Sequence, residues 1–322
     1  MKALFFILCF LSSLIRLSAQ CPEELVINGG FEDYLECPLE ITANPTDLEE
    51  LLGNWWSASD VSPDFYHYCG GLQGSFGGAY PENNVYGGQV PRMGSGMAGF
   101  AISCGDPSGE YIATKLLRPL VPTKQYKISY WISNGDSRFL EVLGVACRTN
   151  GIEILFTPME IYWPDFTLMP NYSPQIGPAS YIVTDSLNWV GFYQTFQVEE
   201  EYQYMTIGRW STSVLNSNCT CFDPEIAGGN VYFYIDDISI KEVIPIEFPN
   251  VFTPNGDAYN RVFQVRGYCG NLSIYNRWGQ LLVAVANDQG WNGRINGEDA
   301  PEGTYFCITD DQKHKGAFQL LR

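Results

Sequence analysis

Two-residue alternation constrains this chain more than any other feature. Tyr126-Lys127-Ile128-Ser129-Tyr130-Trp131-Ile132-Ser133 sets polar against apolar residues at nearly every step, the pattern of a strand with one face buried. Val231-Tyr232-Phe233-Tyr234-Ile235-Asp236-Asp237-Ile238-Ser239-Ile240 reads as another strand and closes the same region. Strands are also expected at 142–147, 189–198 and 204–210. No segment keeps a capped helical period for long, and Asp47 to Leu52 offers a single turn. Aromatic residues make up 15% of the chain, with 32 glycines and 19 prolines, which suits short strands joined by tight turns. The expected fold class is all-β.

The ends and the linker divide the chain. Lys2, the apolar run from Ala3 to Leu11 and the small residue Ala19 form a signal peptide over 1–20, cut after Ala19 or Gln20. The run is too short, and too soon broken by Arg16, to anchor in a bilayer. A lipidated Cys21 would need a small residue before it, and Gln20 is not small. The first domain is expected over 21–243. A linker at 244–250 contains Pro245 and Pro249. The second domain, 251–322, has expected strands at 272–275, 281–285, 303–309 and 317–321. Residues 70–99, rich in Gly, Tyr, Asn and Pro, read as an ordered loop region of the kind that carries function on a β scaffold.

The formal net charge of -18 argues against a nucleic-acid partner, because an acidic surface repels phosphate. It suits calcium and neutral glycans. Of the ten cysteines, Cys9 leaves with the leader. The rest show no C-x-x-C pair, so disulfides in an oxidising compartment are the default. Cys269 and Cys307 stand alone in the C-terminal part and are expected to pair there. The two histidines, His67 and His314, come without a nucleophile elbow, so no catalytic residue is assigned. A carboxylate pair acting on polysaccharide is the alternative, as is a structural surface or adhesion module with no small ligand.

Asn250-Val251-Phe252-Thr253-Pro254-Asn255-Gly256-Asp257 opens the C-terminal segment. Leu272-Ser273-Ile274-Tyr275-Asn276-Arg277-Trp278-Gly279-Gln280 lies in its middle, and Trp291-Asn292-Gly293 and Pro301-Glu302-Gly303-Thr304-Tyr305-Phe306 follow. The segment resembles the gliding-motility-associated C-terminal domain, the type B sorting signal of the type IX secretion system of Bacteroidota. The resemblance implies a small Ig-like β-sandwich handled by that machinery at the outer membrane. The protein would then reach the cell surface or the medium by way of the periplasm. Trp278 and Trp291 are expected to fill its core.

Asn28-Gly29-Gly30-Phe31-Glu32 near the start and Tyr234 to Ile240 at the end are together similar to galactose-binding-like jelly rolls found among carbohydrate-binding modules. The resemblance implies a jelly-roll β-sandwich with its first and last strands adjacent, where Glu32 and Asp236 face one calcium ion. Trp55-Trp56, Ser62 to Tyr66, Pro81 to Asn84 and Gly94 to Gly99 resemble a module of secreted proteins whose ligand is not assigned. Exposed rings stack on sugar faces, so Trp56, Tyr66, Tyr80 and Tyr86 are the candidate contacts to a glycan or cell-surface polymer.

Overall fold

The computed structural model describes residues 21–322 apart from 73–77, 104–108, 136–146, 166–171, 178, 211–218, 222–229 and 257–259. The leader expected at 1–20 lies outside the described residues, as does most of the strand expected at 142–147. Residues 23–243 form one compact unit, and residues 244–322, with Cys21 and Pro22, form a second.

The first unit is a jelly-roll sandwich. One sheet has four strands in the order β1 (Trp55–Ser57), β4 (Ile112–Leu120), β9 (Tyr202–Gly208), β7 (Glu153–Thr157). The other has five, in the order β2 (Asp64–His67), β3 (Gly96–Ser103), β11 (Asn230–Glu242), β5 (Gln125–Asn134), β8 (Val190–Gln197). Every pairing within them is antiparallel. A short ladder joins β6 (Cys147–Thr149) to β10 (Cys219–Cys221). The helical turn α1 (Asp47–Leu52) buries Leu48 and Leu52, one turn apart on one face, and ends at Gly53 with φ 71°.

Alternation builds the core between the sheets. Phe65, Phe100, Ile128, Ile132, Phe233 and Ile235 face Trp55, Ile112, Ile154, Phe156, Met205 and Ile207, all buried. Each such side chain stabilises the fold by about 1.5–3 kcal/mol relative to exposure. In β11 the phase changes at a bulge between Asp236 and Ser239, where Asp237 adopts φ 51°. Val231, Phe233 and Ile235 point inward before it; Ile238 and Ile240 do so after it. The bend at Asn28–Phe31 passes directly against this bulge. Ile238 N–H donates to the Gly29 carbonyl at 2.9 Å. A β-carbon on Gly29 would fall 1.9 Å from the Ile238 oxygen, so only glycine fits.

The second unit has a five-stranded sheet in the order β12 (Val251–Phe252), β18 (Lys315–Leu320), β17 (Gly303–Thr309), β13 (Asn271–Tyr275), β14 (Leu281–Ala286). A small hairpin of β15 (Arg294–Ile295) and β16 (Glu298–Asp299) turns through Asn296 and Gly297, both at positive φ. Phe252, Phe263, Leu272, Ile274, Trp291, Tyr305 and Phe318 form the core, with Phe263 stacked on Phe318 at 3.7 Å.

Two expectations for this unit are corrected. Trp291 is buried and donates Nε1–H to the Arg294 carbonyl at 2.8 Å, but Trp278 is 70% exposed. Trp278 sits in the β13–β14 turn, where Asn276 Oδ1 accepts its backbone N–H at 3.0 Å and holds it away from the core. Cys269 and Cys307 do not pair. Cys307 follows Tyr305 on the inward phase of β17 and is a free, buried thiol; Cys269 lies before β13 and bonds Cys21. Cys37 bonds Cys69, and Cys147 is also disulfide-bonded.

Candidate functional site

The outer face of the five-stranded sheet has a closed half and an open half. On the closed half, Asp64 and Tyr66 from β2 and Tyr232 and Tyr234 from β11 lie under the 79–92 segment. Tyr232 Oη–H donates to Asp64 Oδ2 at 2.6 Å, and the Tyr66 and Tyr232 hydroxyls are 2.8 Å apart. Thr42 N–H donates to Asp64 Oδ1 at 3.0 Å. From the covering segment, Asn84 Oδ1 accepts from Tyr234 Oη at 2.7 Å, and Gln89 Nε2 donates to Ser133 Oγ. Burial pushes the Asp64 carboxyl up to about 7 despite these donors.

This arrangement redistributes the four candidate contacts. Tyr66 is fully buried and offers no ring face to a ligand, because the covering segment closes over β2. Tyr86 is half-buried and stacks on Tyr232 at 3.7 Å with planes 7° apart. Tyr80 is half-buried against Tyr68, ring centroids 5.5 Å apart. Trp56 belongs to the other sheet, where it packs with Ala58, Tyr111 and Trp210, edge-on to Tyr204. Its Nε1 is buried and has no hydrogen-bond partner among the described residues. The four rings therefore form no single platform. His67 is buried, and its Nδ1 accepts the Cys69 N–H at 3.0 Å.

The open half is built by β5, β8 and the end of β11. Lys127, Ser129 and Trp131 occupy the outward phase of β5, because Tyr126, Ile128, Tyr130 and Ile132 take the inward one. The indole of Trp131 lies over Gly191 of β8, where a β-carbon would come 2.8 Å from the ring. Arg92 reaches over Trp131 with its guanidinium carbon 3.9 Å from the ring centroid. Nη1 of Arg92 ion-pairs with Asp237, and its backbone N–H donates to Asp236 Oδ2 at 2.8 Å. Tyr193 is 58% exposed and stands edge-on to Trp131 at 5.9 Å. Ser239 donates to Glu24 Oε2 at 2.5 Å, and Lys241 lies 3.6 Å from the same oxygen. Glu24, Arg92, Ser129, Trp131, Tyr193 and Lys241 are among the residues that line an open cleft of about 460 Å³. Sequence reasoning passed over Trp131 and Tyr193 as strand residues. The available signal was a tryptophan in the same phase as Lys127 and Ser129, the phase that points outward.

Glu32 and Asp236 have other uses in this structure. Glu32 accepts from the backbone N–H of Ser95 at 2.9 Å and of Gly96 at 3.1 Å, closing the 94–96 turn onto the first bend. Asp236 accepts from the N–H of Arg92 and of Asp237. Burial, and then the neighbouring Asp237 charge, push its carboxyl up to about 8. Among the described residues, no group of three acidic, histidine or cysteine side chains assembles around a metal position.

The fold and site define an all-β protein of two units that turns one aromatic and polar sheet face to solvent. Its C-terminal unit is a type IX secretion signal domain: residues 246–320 match the family model described as CHU_C Type IX secretion signal domain. That domain implies export by the type IX route, to the cell surface or the medium. No curated protein matches the chain. Among solved structures, it is similar to the CBM22-1 xylan-binding domain of Paenibacillus barcinonensis Xyn10C, at 11% identity and TM-score 0.36, over 70% of this chain and 98% of that one. It is also similar to the K3 cleaved adhesin domain of Lys-gingipain from Porphyromonas gingivalis w83, at 12% identity and TM-score 0.29, over 68% and 99%. At these TM-scores the likeness says nothing of ligand or activity.

Proposed function

We propose that this protein is an exported binding module: the C-terminal unit takes it out of the cell, and the sandwich holds a glycan or similar extracellular polymer on its open sheet face. The observation that carries this reading is Tyr193, a ring 58% exposed on strand β8, beside Trp131 and the hydroxyls of Ser129 and Ser239 along an open cleft. Exposed rings flanked by hydrogen-bonding groups suit sugars, which present both an apolar face and hydroxyls. Of the other candidate rings, Tyr66 is buried, Tyr80 and Tyr86 are half-buried against Tyr68 and Tyr232, and Trp56 belongs to the other sheet.

The test is affinity electrophoresis of the mature chain through a panel of polysaccharides, beside Tyr193→Ala and Trp131→Ala. Retardation by at least one polymer, lost in Tyr193→Ala without a fall in melting temperature, is expected. Retardation unchanged in both variants would move the site elsewhere. Deleting residues 246–322 is expected to leave the protein inside the cell envelope, and its normal release would refute the export half of the proposal.

A further inference from the structure

We infer that the polymer held on the open face is anionic, with its carboxylate or sulfate groups received by Arg92 and Lys127; this rests on the reading of that face as a glycan site. The net charge of -18 favours a neutral partner for the chain as a whole, but the face inverts that balance. Arg92, Trp131, Tyr193 and Lys127 form a row, with guanidinium over indole at 3.9 Å, ring beside ring at 5.9 Å, and the Lys127 ammonium 5.4 Å from the Tyr193 centroid. Among the described residues, three carboxylates lie nearby: Asp237 is paired with Arg92 and Glu24 with Lys241, while Asp236 accepts the Arg92 and Asp237 backbone N–H groups and is pushed by burial toward its neutral form. Lys127 has no carboxylate partner among the described residues, so the face keeps one uncompensated cation.

Arg92 also keeps donors in reserve. Among the described residues its side chain uses only Nη1, on Asp237. Nε and Nη2 remain for an incoming anion, and a planar guanidinium matches carboxylate or sulfate oxygens in pairs. The same guanidinium covers one face of Trp131 while Gly191 lies against the ring. A neutral sugar therefore has only Tyr193 as an open ring on which to stack, whereas an anionic sugar meets a cation at each end of the row. Lys127 and Trp131 are four residues apart on one strand, about 13 Å, a span for several sugar units rather than a single small anion.

The experiment measures affinity of the mature chain for polygalacturonate, a sulfated galactan and neutral xylan, with Lys127→Met, Arg92→Gln and Tyr193→Ala alongside. The expected result is binding to one or both acidic polymers and not to xylan, weakened roughly tenfold by Lys127→Met at unchanged melting temperature. Binding to polygalacturonate alone would assign the site to carboxylates, and binding to the galactan alone to sulfates. Binding to xylan that Tyr193→Ala abolishes and Lys127→Met leaves intact would overturn the inference and keep the glycan site. Acidic-polymer binding indifferent to both cation variants would overturn it as well. No binding to any of the three would overturn the inference and the reading beneath it.

Discussion

Tyr86 lies face to face on Tyr232, ring centroids 3.7 Å apart and planes 7° from parallel. The contact fastens the 79–92 segment onto the five-stranded sheet. Together with the Asn84–Tyr234 and Gln89–Ser133 hydrogen bonds, it makes that half of the sheet interior rather than surface.

Tyr86→Ala should therefore act on stability. Loss of a half-buried stacked ring is expected to cost about 2–3 kcal/mol, read as a lower denaturant midpoint with an unchanged slope. Polymer affinity of the folded fraction should stay as it was. A variant of full stability and reduced affinity would return Tyr86 to the binding site.

The buried Asp64 predicts a pH dependence. Its carboxyl titrates near 3.8 in an unfolded chain and at about 7 in the folded one. Between those values the folded state keeps a proton that the unfolded state gives up, so stability is full below about 3.8, falls as pH rises, and levels above about 7. Asp236, raised to about 8, acts in the same direction. Buried Glu110, also raised, adds to the fall, so Asp64→Asn should lessen it without removing it, as measured by chemical unfolding across this range. A wild-type stability that rises steadily over it would contradict the assignment.

Glu32 distinguishes a backbone clamp from a cation ligand. Its carboxylate holds the Ser95 and Gly96 amides, so Glu32→Ala should cost about 1–3 kcal/mol equally in calcium and in chelator. A melting temperature that calcium raises, and that Glu32→Ala makes insensitive to calcium, would instead place the ion there.

Much of the fold follows from local pattern. The alternation in 126–133 specified both the strand and its buried phase, and the turn Asp47 to Leu52 appeared where its spacing put it. Burial of the other face of the same sheet was not visible in the sequence. It depends on a segment returning from residues 79–92 to cover β2 and β11, a long-range contact with no local signature. Tyr66 and Trp131 illustrate the difference. Each is an aromatic residue on the outward phase of its strand, but the returning segment buries the first and ends, at Arg92, over the second. Cys269 shows the same limit: its disulfide partner Cys21 is 248 positions away, beyond any pairing suggested by cysteines within one domain.

The open face is tested most directly as a binding site by measuring the affinity of Tyr193→Ala and Tyr86→Ala for one bound polysaccharide, with melting followed on the same samples. Tyr193→Ala is predicted to lose roughly tenfold or more in affinity, about 1.4 kcal/mol, with its melting temperature unchanged. Tyr86→Ala is predicted to melt lower and, while folded, to bind as the parent does. The reverse result, with affinity lost in Tyr86→Ala and kept in Tyr193→Ala, would contradict the open face as the binding site.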